Sequence, residues 1–245
     1  MSMLFLRSLL SNTLIYPIGF ILVTLSVPFW VWRRSWARWV THSWGRATLG
    51  ILRHVSGIEL EVRGREHMPR AAALIACKHQ SSWETVAMFL LIPNVAMIVR
   101  QTFFYFTPVG WLAWRIGMLR LNRTGHAKAL RQLMRDSRAE VRRGRCVCIF
   151  PEGTRRPPGA PAIYHSGVAG LYRHLDVPCV PVALNSGLFW PRRQFLRYSG
   201  RLVMEFLPPI APGLSRAAFM RELEARIEPA SARLLKNARR GEISR

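Results

Sequence analysis

The chain has 245 residues, of which 50% are apolar and 20% charged, and 36 lysine and arginine residues against 13 acidic ones give a formal net charge of +23. The length is sufficient for one α/β domain with a sizeable core. The apolar content excludes a disordered basic tail, and the single long uncharged run, at the N-terminus, excludes a polytopic membrane protein. The charge indicates an anionic partner, which is nucleic acid, an anionic membrane or a phosphorylated substrate.

Residues 1–56 are predicted to form a helical membrane-attachment module. Residues 8–32 carry no charge, a length that suffices to span a bilayer once or to dip in and return. Arg33, Arg34 and Arg38 follow among several tryptophans, a pairing typical of the lipid–water interface. The alternative is a hydrophobic helical hairpin packed on the domain. If the segment spans, these arginines place the rest of the chain on the cytoplasmic side.

Residues 57–245 are predicted to form an α/β domain, because short apolar runs alternate there with helical stretches. The expected sheet is mixed or largely parallel. Residues 127–143 place apolar side chains on one helical face and end before Gly144, a suitable C-cap. A helix over residues 215–236 is predicted to bend or divide at Pro229. The predicted strands cover residues 58–62, 71–77, 95–99, 146–150, 177–184 and 202–206.

The four cysteines are predicted to be buried, reduced thiols. All of them, Cys77, Cys146, Cys148 and Cys179, lie in apolar runs that are predicted to be strands. Their spacing is neither that of a zinc knuckle nor that of a redox motif. The sequence therefore predicts no metal site.

The first segment with candidate chemistry is Lys78–Glu84, directly after an apolar strand. If a helix begins near Ser81, His79 lies in the preceding loop and Glu84 in the first turn, where its carboxylate can orient the imidazole and raise its basicity. Such a pair suits the removal of a proton from a substrate hydroxyl. The segment also fits a capping box, in which Glu84 bonds only the N-cap amide. Spacing alone leaves both interpretations open.

Three further segments follow predicted strands or form them. Residues 150–156, Phe-Pro-Glu-Gly-Thr-Arg-Arg, make a turn with exposed amides and two arginines, which suits phosphate binding. Residues 117–123, Gly-Met-Leu-Arg-Leu-Asn-Arg, predict a short strand that ends in an arginine. Residues 180–184, Val-Pro-Val-Ala-Leu, predict a buried strand. Neither of the last two indicates chemistry by itself.

In order and approximate spacing, the four segments resemble the signature blocks of the glycerolipid acyltransferases of the bacterial 1-acylglycerol-3-phosphate type. That family has His-x4-Asp, a block similar to Gly-x-x-Phe-Ile-x-Arg, Phe-Pro-Glu-Gly-Thr-Arg, and a strand similar to Val-Pro-Val. Residues 150–155 match the third block without a change. Glu84 stands where the family usually has Asp, and Arg120 and Asn122 depart from the second block. The resemblance implies a mixed α/β sheet flanked by helices.

The resemblance also implies roles for individual residues. His79 corresponds to the catalytic base and Glu84 to the acid that orients it, which favours this role over capping alone, with one carboxylate oxygen for each task. Pro181 corresponds to the acyl-donor side. The residues that correspond to binding of the substrate phosphate are Gly117, Arg123, Glu152, Gly153, Thr154 and Arg155.

The activity implied is transfer of a fatty acyl group from acyl-CoA or acyl carrier protein to the sn-2 hydroxyl of lysophosphatidate, giving phosphatidate for phospholipid synthesis. Membrane lipid is a further expected partner, and we expect no metal, resident cofactor or nucleic acid. The implied location is the bacterial inner membrane, with the catalytic domain on the cytoplasmic face. Two alternatives stay open: the same chemistry on another lysophospholipid or a lyso-aminolipid, and a non-enzymatic protein that binds membranes or nucleic acid. The aromatic residues lie in apolar runs, which argues against nucleic acid.

Overall fold

The computed structural model describes residues 2–105, 107–122 and 126–243. The N-terminal helices are Met3–Thr13 (α1), Gly19–Leu25 (α2), Val27–Trp32 (α3) and Arg34–His54 (α4). The strands described are Ile58–Arg63 (β1), Leu74–Cys77 (β2), Ala96–Arg100 (β3), Leu119–Leu121 (β4), Val147–Ile149 (β5), Cys179–Leu184 (β6) and Gly200–Phe206 (β7). The other α-helices described are Trp83–Leu91 (α5), Pro108–Arg115 (α6), His126–Arg142 (α7), Gly167–Leu175 (α8) and Arg216–Ile243 (α9).

The strands form one sheet in the order β1-β7-β6-β2-β5-β3-β4, in which β6 and β7 are antiparallel and the other neighbours are parallel. The predicted mixed α/β sheet is therefore confirmed. Alternate side chains of a buried strand enter opposite layers: Leu74 and Ala76 pack with α7, α8 and α9, whereas Ile75 and Cys77 pack with α4 and α5. All four cysteines are buried and free, as predicted.

The observed strands differ from the predicted ones mainly at their ends, whereas α6 and α8 were not predicted. β2 and β6 begin later than predicted, because their ladder starts at the pair Leu74 and Cys179 and the preceding residues have no strand opposite them. Gly144 follows α7 with a φ of +76°, as expected for a C-cap. α9 is not divided at Pro229, since Ile227 and Ala230 on either side are buried in the core and hold the helix in place.

The N-terminal helices form two segments, α1 with α2 and, after α3, the longer helix α4. α1 and α2 are joined by the π-helical turn Leu14–Ile18, which contains Pro17 and lets the helix pass a residue without an N–H. By length and composition, Met3–Leu25 is the one candidate membrane span found among the described residues. α4 returns and packs on α5 and β1, and Ile15 and Leu52 join the main core. A domain boundary at residue 57 stays a prediction.

Candidate active site

The candidate site lies where four neighbouring strands end. β6, β2, β5 and β3 run parallel, so the residues after their carboxyl ends meet at one edge of the sheet, where open α/β sheets bind ligands. His79 follows β2, the turn beginning at Phe150 follows β5, and Ser186 follows β6. Arg100 is the last residue of β3. The sequence analysis did not single out Ser186 or Arg100, although each is a polar residue at the end of an apolar strand.

His79 and Glu84 form the predicted pair. α5 begins at Trp83, so His79 lies in the loop before it and Glu84 in its first turn. His79 Nδ1 is 2.9 Å from Glu84 Oε1, and the Glu84 side chain is fully buried while that of His79 is 17% exposed. Because the carboxylate accepts the Nδ1 proton, Nε2 is left unprotonated in the neutral ring. The imidazole also stacks on Phe150, with centroids 4.0 Å apart.

Glu84 also caps the loop. Its Oε1 accepts hydrogen bonds from the amides of Gln80, at 2.6 Å, and Ser81, at 2.7 Å. Oε2 accepts from Ser186 Oγ at 2.9 Å. The two tasks therefore coexist, but the expectation of one oxygen for each is wrong, because Oε1 takes the imidazole and both amides. Four donors hold this carboxylate, so its position and hence the orientation of His79 are closely determined.

Glu152 lies behind the loop and not on the cleft, which differs from the predicted phosphate contact. Its Oε2 accepts from the His79 amide at 2.8 Å, and its Oε1 is 3.3 Å from Lys78 Nζ. Burial raises the pKa of Glu152, an effect opposed by the Lys78 ammonium and the His79 amide. A buried carboxylate repels a phosphate, so its place supports the His79 loop.

Lys78 connects this support to the C-terminal helix. Its ammonium is 2.6 Å from Glu228 Oε1 on α9, and the Lys78 side chain is only 4% exposed. Tyr164 donates its hydroxyl to the same Glu228 oxygen at 2.6 Å. A cation at this depth is tolerated because two carboxylates face it. Neither Lys78 nor Glu228 was assigned a role from the sequence; the available signal was a lysine directly after a buried strand in a chain whose cations are nearly all arginine.

The third motif forms a turn against the His79 loop. Gly153 has a φ of +62°, a conformation that favours glycine. Arg155 Nη1 donates to Ser82 Oγ at 2.5 Å, and the Arg156 amide donates to the His79 carbonyl at 2.8 Å. Gly153, Thr154 and Arg155 line the same cleft as His79. The structure therefore brings these predicted residues together.

Besides Glu152, two further predicted site residues do not line the cleft, and another lies outside the described residues. Gly117 sits in the turn before β4 with a φ of +82°, and a Cβ there would collide with the guanidinium groups of Arg34 and Arg145. Pro181 is buried within β6, paired with Ala76 of β2. Both positions indicate structural rather than binding roles. Arg123 falls in the gap between residues 122 and 126.

The cleft in front of His79 has a volume of about 1180 Å³ and two kinds of wall. Its inner part is apolar and is formed by the N-terminal helices together with α5 and α6. Its rim carries four arginines, and no carboxylate appears among the described residues that line it. Such a cleft suits an amphiphile with an anionic head group. The inner wall includes Ile15, Phe20, Val23, Val86, Phe89 and Leu112, and the rim arginines are Arg100, Arg155, Arg192 and Arg193.

Comparison with known proteins gives the same picture. The sequence model of the family described as Acyltransferase matches residues 59–185. A 1-acyl-sn-glycerol-3-phosphate acyltransferase of Pseudomonas aeruginosa is 30% identical over 203 residues, which cover 80% of this chain and 77% of that protein. The human 1-acyl-sn-glycerol-3-phosphate acyltransferase alpha is 26% identical over 168 residues, covering 67% of this chain and 59% of the human protein.

A solved structure shares the fold. The crystal structure of the 1-acyl-sn-glycerophosphate acyltransferase PlsC from Thermotoga maritima superposes with a TM-score of 0.78, covering 94% of this chain and 96% of that one, at 18% identity. The glycerolipid acyltransferase-like fold is therefore confirmed. With the family match and the Pseudomonas relative, it establishes that this chain belongs to the acyltransferase family of enzymes, in the 1-acylglycerol-3-phosphate acyltransferase group.

Proposed function

We propose that the chain transfers a fatty acyl group from acyl-CoA or acyl carrier protein to the sn-2 hydroxyl of lysophosphatidate, giving phosphatidate. The observation that carries this proposal is the His79–Glu84 pair, 2.9 Å apart. His79 lines the cleft together with its apolar inner part, called the chamber below, and its arginine-lined rim. The names of the relatives agree with the acceptor. The proposal includes no metal ion or resident cofactor, because the pair itself supplies the base.

The proposed reaction is a direct transfer. His79 Nε2 takes the proton of the sn-2 hydroxyl while that oxygen attacks the thioester carbonyl carbon. Glu84 stabilises the imidazolium that forms. The carbon–sulfur bond then breaks, and the departing thiolate receives the proton from His79 as the ester forms. No acyl-enzyme intermediate is required, so a nucleophilic side chain is not part of the scheme.

The rim would bind the acceptor phosphate and the chamber an acyl chain. Arg155 is fixed beside Ser82, three residues after His79, and Arg100 lines the same cleft. We assign the phosphate of lysophosphatidate to these two guanidiniums together with the turn at Gly153 and Thr154. An anionic head group there leaves the acyl chain to the apolar walls, where burial of methylene groups contributes roughly 0.8 kcal/mol each.

We also propose that the N-terminal helices attach the protein to the cytoplasmic face of a bacterial inner membrane. Within the span Met3–Leu25, only 28% of the apolar 18-residue window is buried in the protein, and Arg33, Arg34 and Arg38 follow the span. Trp30 is an exception to the predicted interfacial pattern, because it is buried against Val23 and α6. The exposed apolar side chains on α1 to α4 and α6 include Leu9, Leu10, Phe20, Leu22, Leu25, Phe29, Trp32, Trp36, Trp39, Trp111 and Trp114. Release from membranes by detergent but not by salt would support this attachment.

The decisive experiment is an acyl-transfer assay on detergent-solubilised protein with acyl-CoA and lysophosphatidate. We expect phosphatidate from the wild type and a loss of at least about a hundredfold in His79→Ala, as for removal of a general base. His54→Ala, an exposed histidine on α4, is the matched control and should retain activity. Full activity in His79→Ala would contradict the mechanism, and transfer only to another lysolipid would reassign the acceptor.

A further inference from the structure

Two of the rim arginines, Arg192 and Arg193, lie in a loop that the molecule holds firmly in place. Residues 191–199 connect Trp190 to β7. The buried Arg197 donates from Nη1 to the carbonyls of Gln194, Phe195 and Leu196, and its guanidinium lies over the Trp190 ring, 4.7 Å from the centroid. This internal scaffold keeps the loop at the rim of the cleft.

The same loop is fastened to the N-terminal helix. The Arg197 amide donates to Ser8 Oγ at 2.9 Å, and Asn12 Nδ2 donates to the Phe195 carbonyl at 2.8 Å. The rings of Phe5 and Phe195 are also in contact, with centroids 5.2 Å apart. The loop that carries the two arginines is therefore held both by its own hydrogen bonds and by contacts with α1.

Arg192 and Arg193 carry charge that nothing in the described part of the cleft balances. Arg192 Nη1 donates to the Arg155 carbonyl at 3.0 Å, so the pair lies next to the proposed phosphate site. Loss of hydration and then the guanidiniums of Arg193, Arg155 and Arg100 lower the pKa of Arg192. The rim has four arginines and no carboxylate among the described lining residues. Its positive charge is therefore neutralised only when anions are bound.

One phosphate does not account for this rim. The acceptor's phosphate lies close to its reacting hydroxyl, so it must bind near His79, where Arg155 and Arg100 are available. Both acyl donors considered above are phosphopantetheine thioesters, whose phosphate is separated from the reacting carbonyl by the whole pantetheine arm. The donor phosphate must therefore bind further from His79, and the remaining arginines of the rim are Arg192 and Arg193, which are exposed and adjoin Arg155.

We propose that Arg192 and Arg193 form a subsite for the phosphate groups of the acyl donor, a phosphopantetheine thioester; this inference rests on the function proposed above. The subsite positions the thioester from the rim, next to the site of the acceptor phosphate. It explains why the chain places two further arginines beside Arg155. Because guanidinium–phosphate contacts are charge-assisted hydrogen bonds, their loss weakens binding of a phosphorylated donor selectively.

The test compares three donors that share the pantetheine arm and are shortened stepwise, first by the 3′-phosphoadenosine nucleotide and then by the remaining phosphate, in non-ionic detergent. Wild type and the double variant Arg192→Gln/Arg193→Asn are assayed with palmitoyl-CoA, palmitoyl-4′-phosphopantetheine and palmitoyl-pantetheine. Arg193 has a φ of +57°, which asparagine adopts readily, and the glutamine amide that replaces the Arg192 guanidinium retains a donor for the Arg155 carbonyl. The control Arg138→Gln/Arg221→Gln removes the same charge from exposed positions that do not line the cleft.

We expect the double variant to lose roughly tenfold in kcat/KM with palmitoyl-CoA relative to palmitoyl-pantetheine, with KM for lysophosphatidate unchanged and the control like wild type. A similar loss with palmitoyl-4′-phosphopantetheine assigns the subsite to the pantetheine phosphate, and a loss with palmitoyl-CoA alone assigns it to the nucleotide part of the donor. Equal loss with all three donors, a rise only in KM for lysophosphatidate, or weakened vesicle binding with unchanged kinetics would each overturn the inference. A wild type that transfers from none of these donors would instead refute the proposed function.

Discussion

His79 lies between two regions of opposite construction. Behind it, Lys78, Glu84, Glu152 and Glu228 form hydrogen-bonded and ion-paired contacts of 2.6 to 3.3 Å, in which nearly every polar atom has a defined partner. In front of it, the inner part of the cleft is lined by apolar side chains, which make no directional contacts with a bound molecule. Removal of one partner from a buried charge network leaves an unpaired charge, whereas an apolar wall adapts to changes of volume. We therefore expect a substitution in the polar region to remove most of the activity. A substitution in the apolar wall should only shift the preferred length of the acyl chain.

The largest effect is expected from Glu84→Gln, which changes one oxygen of the buried carboxylate to an amide group. Glutamine can keep its oxygen toward His79 and both loop amides while its NH₂ group donates to Ser186 Oγ, but it carries no charge. We expect a loss of activity on the order of a thousandfold, since a neutral side chain does not stabilise the imidazolium that forms. Glu66→Gln, an exposed glutamate with a side chain 73% accessible, is the control in the same acyl-transfer assay. Near-normal activity in Glu84→Gln would show that the pair is not the catalytic base.

The next largest effect is a loss of stability after a substitution in the polar region behind His79. Lys78→Met leaves Glu152 and Glu228 without their shared cation, and we expect a loss of about 3 kcal/mol in the free energy of unfolding, the range for a broken buried ion pair. Denaturant unfolding in detergent measures it, with Lys128→Met on the exposed side of α7 as control. The double variant Lys78→Met/Glu228→Gln should recover part of the loss, because one uncompensated carboxylate is removed. Unchanged stability in Lys78→Met would contradict the role given to this network.

A smaller effect is expected in the apolar region. Val86→Phe narrows the chamber, so we expect a several-fold shift in kcat/KM from longer toward shorter acyl chains with little loss for the shortest, as an overpacked wall displaces methylene groups worth roughly 0.8 kcal/mol each. A series of acyl-CoA lengths measures the shift. Val31→Phe, at an exposed position on α3, makes the same change away from the cleft. An unaltered chain-length profile in Val86→Phe would exclude this wall from acyl binding.

The smallest effect should come from thiol reagents, which test that neither region depends on a cysteine. Burial raises the pKa of Cys77 and of Cys148, so little thiolate is present near neutral pH. We expect N-ethylmaleimide to leave the activity of the folded enzyme nearly unchanged, and Cys148→Ala to behave like wild type in transfer. Rapid inactivation that substrate prevents would indicate a thiol at the reacting centre.

The two regions were not equally visible in the sequence. Local spacing made the His79–Glu84 pair possible but left capping open, and the resemblance of four segments to a known family decided between them. The strands and helices α7 and α9 follow from apolar periodicity, which depends on near neighbours. Arg155 follows from a motif that is contiguous in the chain.

The support behind His79 was not predictable in this way. Lys78 meets Glu228 across 150 residues, and Ser186 reaches Glu84 across 102; only the strand order makes these pairs neighbours. Glu152 was given a phosphate role because its motif predicts a binding loop, whereas the direction of a single side chain depends on the packing of Lys78 below it. Pro181 was likewise assigned to a ligand although its strand is central in the sheet.

The tie between Lys78 and Glu228 has a consequence for when the enzyme becomes active during synthesis. The partner of the buried lysine is made 150 residues after it, which at about 5–20 residues per second corresponds to a delay on the order of 10–30 s. During that interval the N-terminal helices have left the ribosome and are free to meet a bilayer, while the loop that carries His79 still lacks its last fastening. The N-terminal helices are therefore made before the last contact that holds the His79 loop is able to form.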